Sequence, residues 1–332
     1  MDLKGKNVLL IGLAKTGIST IKLLDKLEAK ITVNDIKTEE KLADILEELK
    51  DIKNATYILG YHPEEVDHID LAVVSPGVPL DLPFIQKLYS KNIKVIGEVE
   101  LAYELSNNPT FIGITGTNGK STISNIIRNI RNTIEPCGYI GTISIEYGNV
   151  KLAPDLTTPD PLVLHKTMSD MVQKGMKACA LEVSSHGLAQ HRVDAIKFDV
   201  AIFTNFTYDH LDFHGTLDNY FEAKSLLFKN LVKQDGVSIL NVDDEKYEDL
   251  RSISRAKVIS YGIDRECDYR AINVVIDSHY SRFDLVYGGK TYKVKTNLVA
   301  TYNIYNLLAS IAALHETGMD LQEIIDQCEH LP

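Results

Sequence analysis

The residues at positions 113–122 have the types and the spacing of a phosphate-binding loop. They read Gly113-Ile114-Thr115-Gly116-Thr117-Asn118-Gly119-Lys120-Ser121-Thr122, after an apolar segment and before a helical pattern. In such loops glycines let backbone amides surround phosphate oxygens, a lysine reaches the β- and γ-phosphates, and a hydroxyl group holds Mg²⁺. The usual loop has a glycine at the position of Ile114, so this loop is a variant. We expect it to bind ATP or GTP.

Residue types that bind metal ions follow two later apolar segments. Glu182 follows the first, and Asp209-His210-Leu211-Asp212-Phe213-His214 follows the second. A nucleoside triphosphate needs Mg²⁺, which prefers oxygen ligands, whereas histidine is more typical of zinc. Because a phosphate loop lies upstream, we expect a magnesium site that includes Glu182 and His210. For His214 we expect only a hydrogen bond within a loop.

Lys224 lies on the apolar face of a helix predicted over residues 220–231. The residues three and four positions away are all apolar or aromatic: Tyr220, Phe221, Leu227 and Phe228. Burial of an unpaired ammonium group is costly and lowers its pKa, and a neutral lysine is a nucleophile that can be modified. The alternative, equally compatible with the spacing, is a lysine whose head reaches water.

Another glycine loop lies near the N-terminus. Gly12-Leu13-Ala14-Lys15-Thr16-Gly17 joins an apolar segment to a helical pattern, and Asp35 ends the next apolar segment. Backbone amides of such a loop approach a diphosphate at a helix N-terminus, and the acidic residue would contact a ribose or base. Because Ala14 replaces the middle glycine, the loop indicates a diphosphate nucleotide more than an NAD enzyme. The alternative is a tight turn between strand and helix.

Apolar segments alternate with amphipathic stretches, which predicts an α/β fold with parallel sheets. A turn-rich segment, Ser106-Asn107-Asn108-Pro109, divides the series, so we expect domains over residues 1–108 and 109–332. Residues 283–294 are typical of a β-hairpin, and residues 305–315 of a final helix. The predicted strands cover residues 8–11, 31–34, 71–74, 93–96, 111–114, 178–181, 200–203 and 237–240.

Composition limits the class of protein. The 332 residues include 35 Lys plus Arg against 46 Asp plus Glu, a net charge of −11, which argues against nucleic acid or an anionic membrane as main partner. No apolar run approaches the roughly 18 residues of a membrane-spanning helix. The four cysteines show no metal-binding spacing, and a chain of this size needs no disulfides. We expect a cytoplasmic protein with reduced thiols.

The set of motifs closely resembles the Mur ligases, ATP-dependent enzymes that build the stem peptide of peptidoglycan. The matching segments are residues 116–121, 157–159, 182–188, 209–212, 220–224 and 302–306. The resemblance covers essentially the whole chain. It implies a Rossmann-like UDP-sugar-binding domain followed by a P-loop ATP-binding central domain. The family's C-terminal domain is expected to be absent, because Leu331-Pro332 falls where its linker would begin.

The resemblance also implies roles for individual residues around the nucleotide. It places ATP against Gly116, Thr117, Asn118, Gly119, Lys120, Ser121, Thr122 and Asn303. It gives Mg²⁺ a shell of Ser121, Glu182, His210 and Lys224, with the lysine carbamylated. Catalysis would depend on Lys120, Glu182, His210 and Lys224. One departure concerns the adenine end, where Ala300 stands in place of the family's glycine three residues before Asn303.

Two further groups of residues would hold the UDP-sugar substrate. For the muramyl peptide the resemblance implies Thr157, Thr158, Ser184, Gln190 and Arg192. For the UDP end it implies Lys15, Thr16, Asp35, Lys37, Ser75 and Gly77, the last two from the turn Ser75-Pro76-Gly77.

The two parts of the chain resemble different branches of the family. The central region is more similar to the branch that adds diaminopimelate or L-lysine to UDP-MurNAc-L-Ala-D-Glu through an acyl phosphate, and this is the expected function. The N-terminal region is more similar to the branch that adds D-glutamate to UDP-MurNAc-L-Ala, which is the competing hypothesis. An enzyme like folylpolyglutamate synthase and a nucleotide-binding module without complete catalysis are also compatible with the motifs. An NAD-linked oxidoreductase would leave Lys120, Glu182 and His210 without a role.

Overall fold

The computed structural model describes four stretches of the chain, residues 3–13, 15–75, 77–105 and 109–331. Within these stretches, only the backbone is described at residues 15, 16, 99 and 102–104. Residues 106–108 of the predicted boundary and Pro332 thus lie outside the described residues. The chain separates into two compact units, Met1–Asn108 and Pro109–Pro332. Among the described helices, none has the length and the apolar character needed to span a bilayer.

The first unit is a doubly wound α/β sheet. Its strands are β1 (Asn7–Ile11), β2 (Lys30–Asp35), β3 (Ala55–Leu59), β4 (Leu71–Val74) and β5 (Lys94–Gly97). Its helices are α1 (Lys15–Lys26), α2 (Ala43–Glu48), α3 (Pro83–Ser90) and α4 (Glu98–Leu105), with a 3₁₀ turn at Glu39–Leu42. All pairings are parallel in the order β3-β2-β1-β4-β5. The order reverses between β1 and β4, so the loops after these two strands flank the crevice where such sheets bind ligands.

The burial of the strands explains which of them were predicted in this unit. Two predictions were in error: β3 was missed, and β5 was placed one residue too early. Strands β1 and β4 are almost wholly buried, and Ile21 and Leu24 of α1 pack into the core beside them. The edge strand β3 has mostly half-exposed residues, so it has no continuous apolar run and was not predicted. Strand β5 begins and ends one residue later than predicted, because Gly97 continues the pairing with β4.

The second unit contains a larger mixed sheet. Its strands are β6 (Thr110–Thr115), β7 (Cys137–Ile140), β8 (Ile145–Tyr147), β9 (Val150–Leu152), β10 (Ala178–Glu182), β11 (Phe198–Phe203), β12 (Val232–Asn241), β13 (Lys257–Gly262), β14 (Tyr269–Ile276), β15 (Ser281–Tyr287) and β16 (Lys290–Thr296). Its helices are α5 (Lys120–Arg131), α6 (Pro161–Gln173), α7 (Ser185–Ala189), α8 (Leu211–His214), α9 (Leu217–Leu226), α10 (Tyr247–Ile253), α11 (Thr301–Glu316) and α12 (Leu321–Gln327). A π-helical turn, Leu227–Leu231, extends α9, and a 3₁₀ turn covers Cys328–His330.

The strand order is β16-β15-β14-β13-β12-β11-β6-β10-β7-β8-β9. Pairing is parallel from β14 through β7 and antiparallel at both margins. The three adjacent strands β11, β6 and β10 therefore bring their carboxyl ends to one edge, in a register that pairs Phe203 with Thr115 and Glu182 with Ile114. The predicted parallel α/β architecture is confirmed, and this edge carries the candidate site.

The core of this unit lies between the sheet and helices α5 and α11. The four isoleucines of the predicted α5 stripe are all buried there: Ile123, Ile126, Ile127 and Ile130. Helix α11 begins at Thr301, four residues earlier than predicted, and α9 begins at Leu217, three residues earlier. Gly113 lies inside β6, where a Cβ would come 2.8 Å from the Phe198 ring, so it serves sheet packing and not the phosphate loop.

Candidate active site

The phosphate loop, residues 116–119, joins β6 to α5. Its two glycines have positive φ angles, +146° at Gly116 and +88° at Gly119. A Cβ at Gly116 would lie 1.8 Å from Thr204 Oγ1, and one at Gly119 would lie 2.5 Å from Asn306 Oδ1. Both positions therefore require glycine for conformation and for space. Ser121 and Thr122 follow in the first turn of α5, where backbone amides have no partners within the helix.

The segment after β11 braces the phosphate loop. The backbone N–H of Thr117 donates to Asn205 O (2.9 Å), and that of Asn118 donates to Asn205 Oδ1 (3.0 Å). Thr204 Oγ1 donates to Asn118 O at 2.6 Å. Two loop amides are thus already paired within the protein, which leaves the amides of the first turn of α5 to meet phosphate oxygens.

Two lysines converge on one backbone oxygen of this loop. Lys120 Nζ donates to Gly116 O and to Thr117 O, both at 3.0 Å, and Lys224 Nζ donates to Gly116 O at 2.8 Å. Lys224 is only 1% exposed, so the alternative in which its head reaches water is wrong. Burial, and then the charge of Lys120, hold the pKa of Lys224 well below its ordinary value. Burial also lowers the pKa of Lys120. Two amines on one carbonyl form a site that an anion would stabilise.

Glu182 ends β10 and is completely buried. Its carboxylate accepts hydrogen bonds from Tyr139 and Thr142, and Thr157 Oγ1 lies 3.0 Å from Thr142 Oγ1. The charges of Glu182 and Asp209 raise the pKa of Lys120 against the effect of burial, so both carboxylates act on the phosphate loop. A buried carboxylate near a phosphate loop fits Mg²⁺, which is commonly held by one or two carboxylates together with phosphate oxygens and water.

His210 lies directly before α8 with a φ of +52°, beside the carboxylate of Asp209 (Nε2 to Oδ2, 3.4 Å). Its ring meets that of His186 edge to face, with centroids 4.9 Å apart. Within the described residues, no group of three or more His, Cys, Asp or Glu side chains is arranged to hold a metal without other ligands. A cation here would therefore need oxygen ligands from a nucleotide or from water.

His214 makes the hydrogen bond expected of it, but at the end of α8 instead of in a loop. Its Nε2 lies 3.0 Å from Ser185 Oγ, and the ring is buried. Burial, followed by the charges of neighbouring histidines, lowers the pKa of both His186 and His214. These two imidazoles are therefore neutral at pH 7.

Four of the residues expected to hold the muramyl peptide, Thr158, Ser184, Gln190 and Arg192, lie together around the short helix α7. Thr158 Oγ1 accepts the backbone N–H of Ser184 at 2.9 Å and lies 3.0 Å from its Oγ. Arg192 donates to Thr158 O at 2.9 Å, and its guanidinium group also contacts the side chains of Gln190 and Asp160. The structure thus assembles a polar cluster around Arg192 from three separate segments of the chain.

In the first unit, Asp35 fastens the first glycine loop. Its Oδ2 accepts the backbone N–H of Leu13 at 2.6 Å, its Oδ1 accepts that of Lys37 at 2.8 Å, and it is buried. Ser75 Oγ lies 2.9 Å from Gly12 O. The sequence predicted a ribose or base contact for Asp35, whereas in the structure both carboxylate oxygens bind backbone amides.

Other expected residues of this loop lie at its exposed side or beyond the described part. Lys37 and Gly77 are exposed. Ala14 and Pro76 lie outside the described residues, as do the side chains of Lys15 and Thr16.

Asn303 lies in the first turn of α11, on the helix that also contacts the phosphate loop. Its Nδ2 donates to Val299 O at 2.8 Å, and its Oδ1 accepts Nδ2 of Asn306 at 3.1 Å. Ala300, directly before α11, has φ +82° and ψ 147°, a backbone conformation that strongly favours glycine. A glycine at this position would adopt the same conformation with less strain.

Comparison with known proteins gives a consistent assignment. A model of the Mur ligase middle domain matches residues 114–314, and one of the MurD-like N-terminal domain of Mur ligases matches residues 6–97. The chain is 41% identical over 329 residues to the UDP-N-acetylmuramoylalanine–D-glutamate ligase of Clostridioides difficile, a match that covers 98% of this chain and 67% of that protein. The chain belongs to the Mur ligase family. The family and fold class inferred from the sequence are confirmed.

Other Mur ligases match over less of their length. The UDP-N-acetylmuramoyl-L-alanyl-D-glutamate–2,6-diaminopimelate ligase of Halalkalibacterium halodurans is 37% identical over 276 residues, 82% of this chain and 57% of the relative. A solved structure of a ligase with the same name has a TM-score of 0.64 at 23% identity, and the match covers 99% of this chain and 60% of that one. This likeness shows the fold alone. The chain spans 67% and 57% of the two curated relatives.

Four residues at this Mur ligase site were not foreseen: Tyr139, Thr142, Asn205 and Asn306. Asn205 is the second residue after a predicted strand, and a polar residue near the carboxyl end of a strand next to the phosphate loop is a usable signal. Tyr139 lies within the four-residue strand β7, where the sequence gives no sign that its hydroxyl meets a carboxylate 43 residues away.

Proposed function

We propose that this chain binds ATP with Mg²⁺ and a UDP-N-acetylmuramoyl substrate, and phosphorylates the substrate carboxylate as the first half of an amide-ligase reaction. One observation carries this proposal: Lys120 and Lys224 both bind Gly116 O in a phosphate loop near a buried Glu182. Membership of the Mur ligase family supports it.

The reaction has two displacements. An oxygen of the substrate carboxylate attacks the γ-phosphorus of ATP, and a new O–P bond forms as the bond to ADP breaks. An amine then attacks the acyl carbon, the C–O bond to phosphate breaks, and the amine loses one proton. The products are an amide, ADP and phosphate, and no residue is assigned as general base.

The chain's own residues position and neutralise the phosphates. Lys120 would leave its loop carbonyls to reach the β- and γ-phosphates, while the amides of the first turn of α5 bind phosphate oxygens. Ser121, Glu182 and His210 would hold Mg²⁺, which supplies positive charge for the migrating phosphoryl group. Asn303, on α11, would lie at the adenine end.

Lys224 is proposed to act as a carbamate. Burial and the charge of Lys120 lower the pKa of this amine and so favour its neutral form, which can add to CO₂ with loss of one proton. The product is an anion beside Lys120, which replaces a costly pair of buried amines by a pair of opposite charges. The anion would complete the magnesium shell.

For the acceptor we propose UDP-MurNAc-L-Ala, with D-glutamate as the added amino acid. This reverses the order of preference reached from the motifs of the central region. The reason is that the MurD-like N-terminal match and the similarity to a D-glutamate ligase together cover nearly the whole chain. In the first unit Lys15, Thr16, Asp35, Lys37, Ser75 and Gly77 would contact the UDP end.

A second candidate is the addition of diaminopimelate or L-lysine to UDP-MurNAc-L-Ala-D-Glu. It is supported by the match to the diaminopimelate ligase of H. halodurans over 82% of this chain. In either case Thr157, Thr158, Ser184, Gln190 and Arg192 would hold the muramyl peptide, and the cluster around Arg192 is suited to a carboxylate.

Calorimetric titration of the 332-residue chain with each UDP-sugar, in the presence of ATP and Mg²⁺, tests these proposals. At least tenfold tighter binding of UDP-MurNAc-L-Ala supports the first acceptor, and the opposite preference supports the second. Binding of neither UDP-sugar contradicts both. For the carbamate, ¹³C-bicarbonate should give a carbamate NMR signal that disappears in Lys224→Ala and persists in Lys229→Ala, an exposed lysine of the following turn. Absence of the signal from the unchanged chain would refute it.

A further inference from the structure

The carboxylate of Glu182 is held by the segment at the end of β7. Tyr139 Oη donates to Glu182 Oε1 at 2.6 Å, and the backbone N–H of Thr142 donates to the same oxygen at 3.1 Å. Thr142 Oγ1 donates to the other oxygen, Oε2, at 2.9 Å. Tyr139 and Glu182 are both completely buried. We call these three donors the β7 clamp.

The β7 clamp leaves one acceptor position of the carboxylate open. Each carboxylate oxygen can accept about two hydrogen bonds. Glu182 Oε1 already accepts two, whereas Oε2 accepts one. A further ligand therefore has a position only at Oε2.

The close contacts of Gly141 also distinguish the two oxygens of the Glu182 carboxylate. A Cβ at this glycine would lie 2.1 Å from Glu182 Oε1 and 2.5 Å from Tyr139 Oη. The backbone of the segment thus lies directly against Oε1 and closes that side of the carboxylate. Only glycine allows this approach.

The β7 clamp also restrains the Glu182 carboxylate from pairing with Lys120. Lys120 is near enough for the charge of Glu182 to act on it. A carboxylate free to rotate would pair with that ammonium group, and both would be withdrawn from a nucleotide. Hydrogen bonds from neutral donors keep the carboxylate oriented and available.

We propose that Tyr139 and Thr142 are positioning residues that fix Glu182 so that it presents Oε2 alone to the divalent cation of the nucleotide. The inference rests on the proposed magnesium-dependent function and names residues that determine its metal affinity. Partners that orient a metal-binding side chain typically change metal affinity by about 10- to 100-fold when they are removed.

The test uses Mn²⁺ as the probe, measured by electron paramagnetic resonance on the 332-residue chain in the presence of ADP. Tyr139→Phe and Thr142→Val should each weaken Mn²⁺ binding by about tenfold. Thr142→Ser keeps the hydroxyl donor and should bind Mn²⁺ as the unchanged chain does. ADP affinity measured without a metal should be unchanged in all three variants.

Tyr147→Phe is the matched control. Tyr147 is also buried, lies in the next strand, β8, and has its hydroxyl hydrogen-bonded to Asp170. It should lose thermal stability without losing Mn²⁺ affinity. Equal losses of Mn²⁺ affinity in Tyr139→Phe and Tyr147→Phe, or no loss in Tyr139→Phe and Thr142→Val, would overturn the inference. If the unchanged chain does not bind Mn²⁺ with ADP at all, the proposed function fails instead.

Discussion

The two glycine loops follow the same pattern of strand, loop and helix, yet they are held in opposite ways. In the first unit a carboxylate fastens the loop, because Asp35 accepts the amides of Leu13 and Lys37. In the second unit Asn205 holds two loop amides, and two lysines, the half-buried Lys120 and the buried Lys224, bind backbone oxygens of the loop.

The difference fits the proposed function, in which the first loop binds substrate and the second takes part in phosphoryl transfer. A loop that only receives a ligand can be fixed by a negative side chain at its base, since the charge is neutralised by backbone amides. A loop at which phosphate charge moves needs positive groups close by, and nearby carboxylates must be held so that they do not pair with them. Asn205 and Thr204 hold residues 117 and 118 without adding a carboxylate, and neutral donors hold Glu182.

The largest effect is expected from removing the glycines that the loops require. Gly116→Ala would place a Cβ 1.8 Å from Thr204 Oγ1. ATP affinity should fall by about 100-fold, or about 2.7 kcal/mol, with UDP-sugar binding retained. Gly12→Ala, whose Cβ would lie 2.9 Å from Val78, should instead weaken UDP-sugar binding and retain ATP binding. Gly97→Ala, with no atom within 4 Å, is the control, and calorimetry with both ligands is the measurement. Equal losses of both ligands in both variants would contradict the separation.

Removal of the side chains that hold the two loops, Asp35 and Asn205, should have a smaller effect. Asp35→Ala leaves the buried amide of Leu13 without its partner, which should lower the free energy of unfolding by about 1–3 kcal/mol. Asn205→Ala frees a loop amide at an exposed position, so ATP affinity should fall about tenfold with little loss of stability. Urea unfolding and ATP titration of both variants measure the two effects. Asp35→Asn, which keeps an acceptor, should lie between Asp35→Ala and the unchanged chain.

Lys224 should make stability depend on pH. Its pKa is lowered by folding, so between that value and about 10.4 the unfolded chain binds more protons than the folded one. Lys224 therefore contributes a rise of the free energy of unfolding with pH over this window, by about 1.4 kcal/mol for each unit of lowering. The buried cysteines contribute in the opposite direction, because burial raises the pKa of their thiols. Lys224→Met should be more stable at pH 7, and its free energy of unfolding should rise less with pH than that of the unchanged chain, because the contribution of Lys224 is removed.

Urea unfolding at pH 7–10 in CO₂-free buffer measures this dependence. Lys229→Met, which changes an exposed lysine of the same segment, serves as the control. A Lys224→Met variant with the pH dependence of the unchanged chain would show that the buried amine carries no such cost.

The smallest effect concerns the helix that contacts the second loop through Asn306. Ala300 has a φ of +82°, so Ala300→Gly should relieve strain and raise the free energy of unfolding by about 1 kcal/mol. Ala313→Gly, in the interior of α11, should lower it by about 0.5–1 kcal/mol. Thermal and urea unfolding of the two variants should move in opposite directions. Destabilisation by both would contradict the assignment of strain to Ala300.

The strands were predicted best at the centres of the sheets, where nearly all of their side chains are buried. Seven of its segments, such as 71–74 and 178–181, are short apolar runs that become central strands. The edge strands β3 and β9 have less to bury, and β8 and β9 have only three residues each, so these strands have no comparable signal. Helix starts were late at α9 and α11, because their first turns carry polar residues that an apolar pattern ignores.

Residues of the candidate site were predictable where the residue type and local motif indicate the chemistry. They were not predictable where the role depends on a contact with a residue distant in the sequence. Lys120 and Glu182 can be recognised from the motif and from the position after a strand. Nothing in the sequence indicated that Asp35 also holds backbone amides, because a carboxylate that binds backbone amides has the same sequence pattern as one that binds a ribose. Tyr139 and Asn205 act through contacts across 43 and 87 residues, and spacing along the chain gives no access to these contacts.

The π-helical turn over Leu227–Leu231 determines how deletions in this segment would act. It contains one more residue than an α-helix of the same length, and each residue of an α-helix rotates the chain by about 100°. Lys224, before the turn, binds the phosphate loop, and Phe228 and Leu231, within the turn, are buried. Deletion of one residue in the turn would rotate these groups relative to one another. We therefore expect the segment between Lys224 and β12 to tolerate a substitution at the exposed Lys229 better than the loss of any one residue.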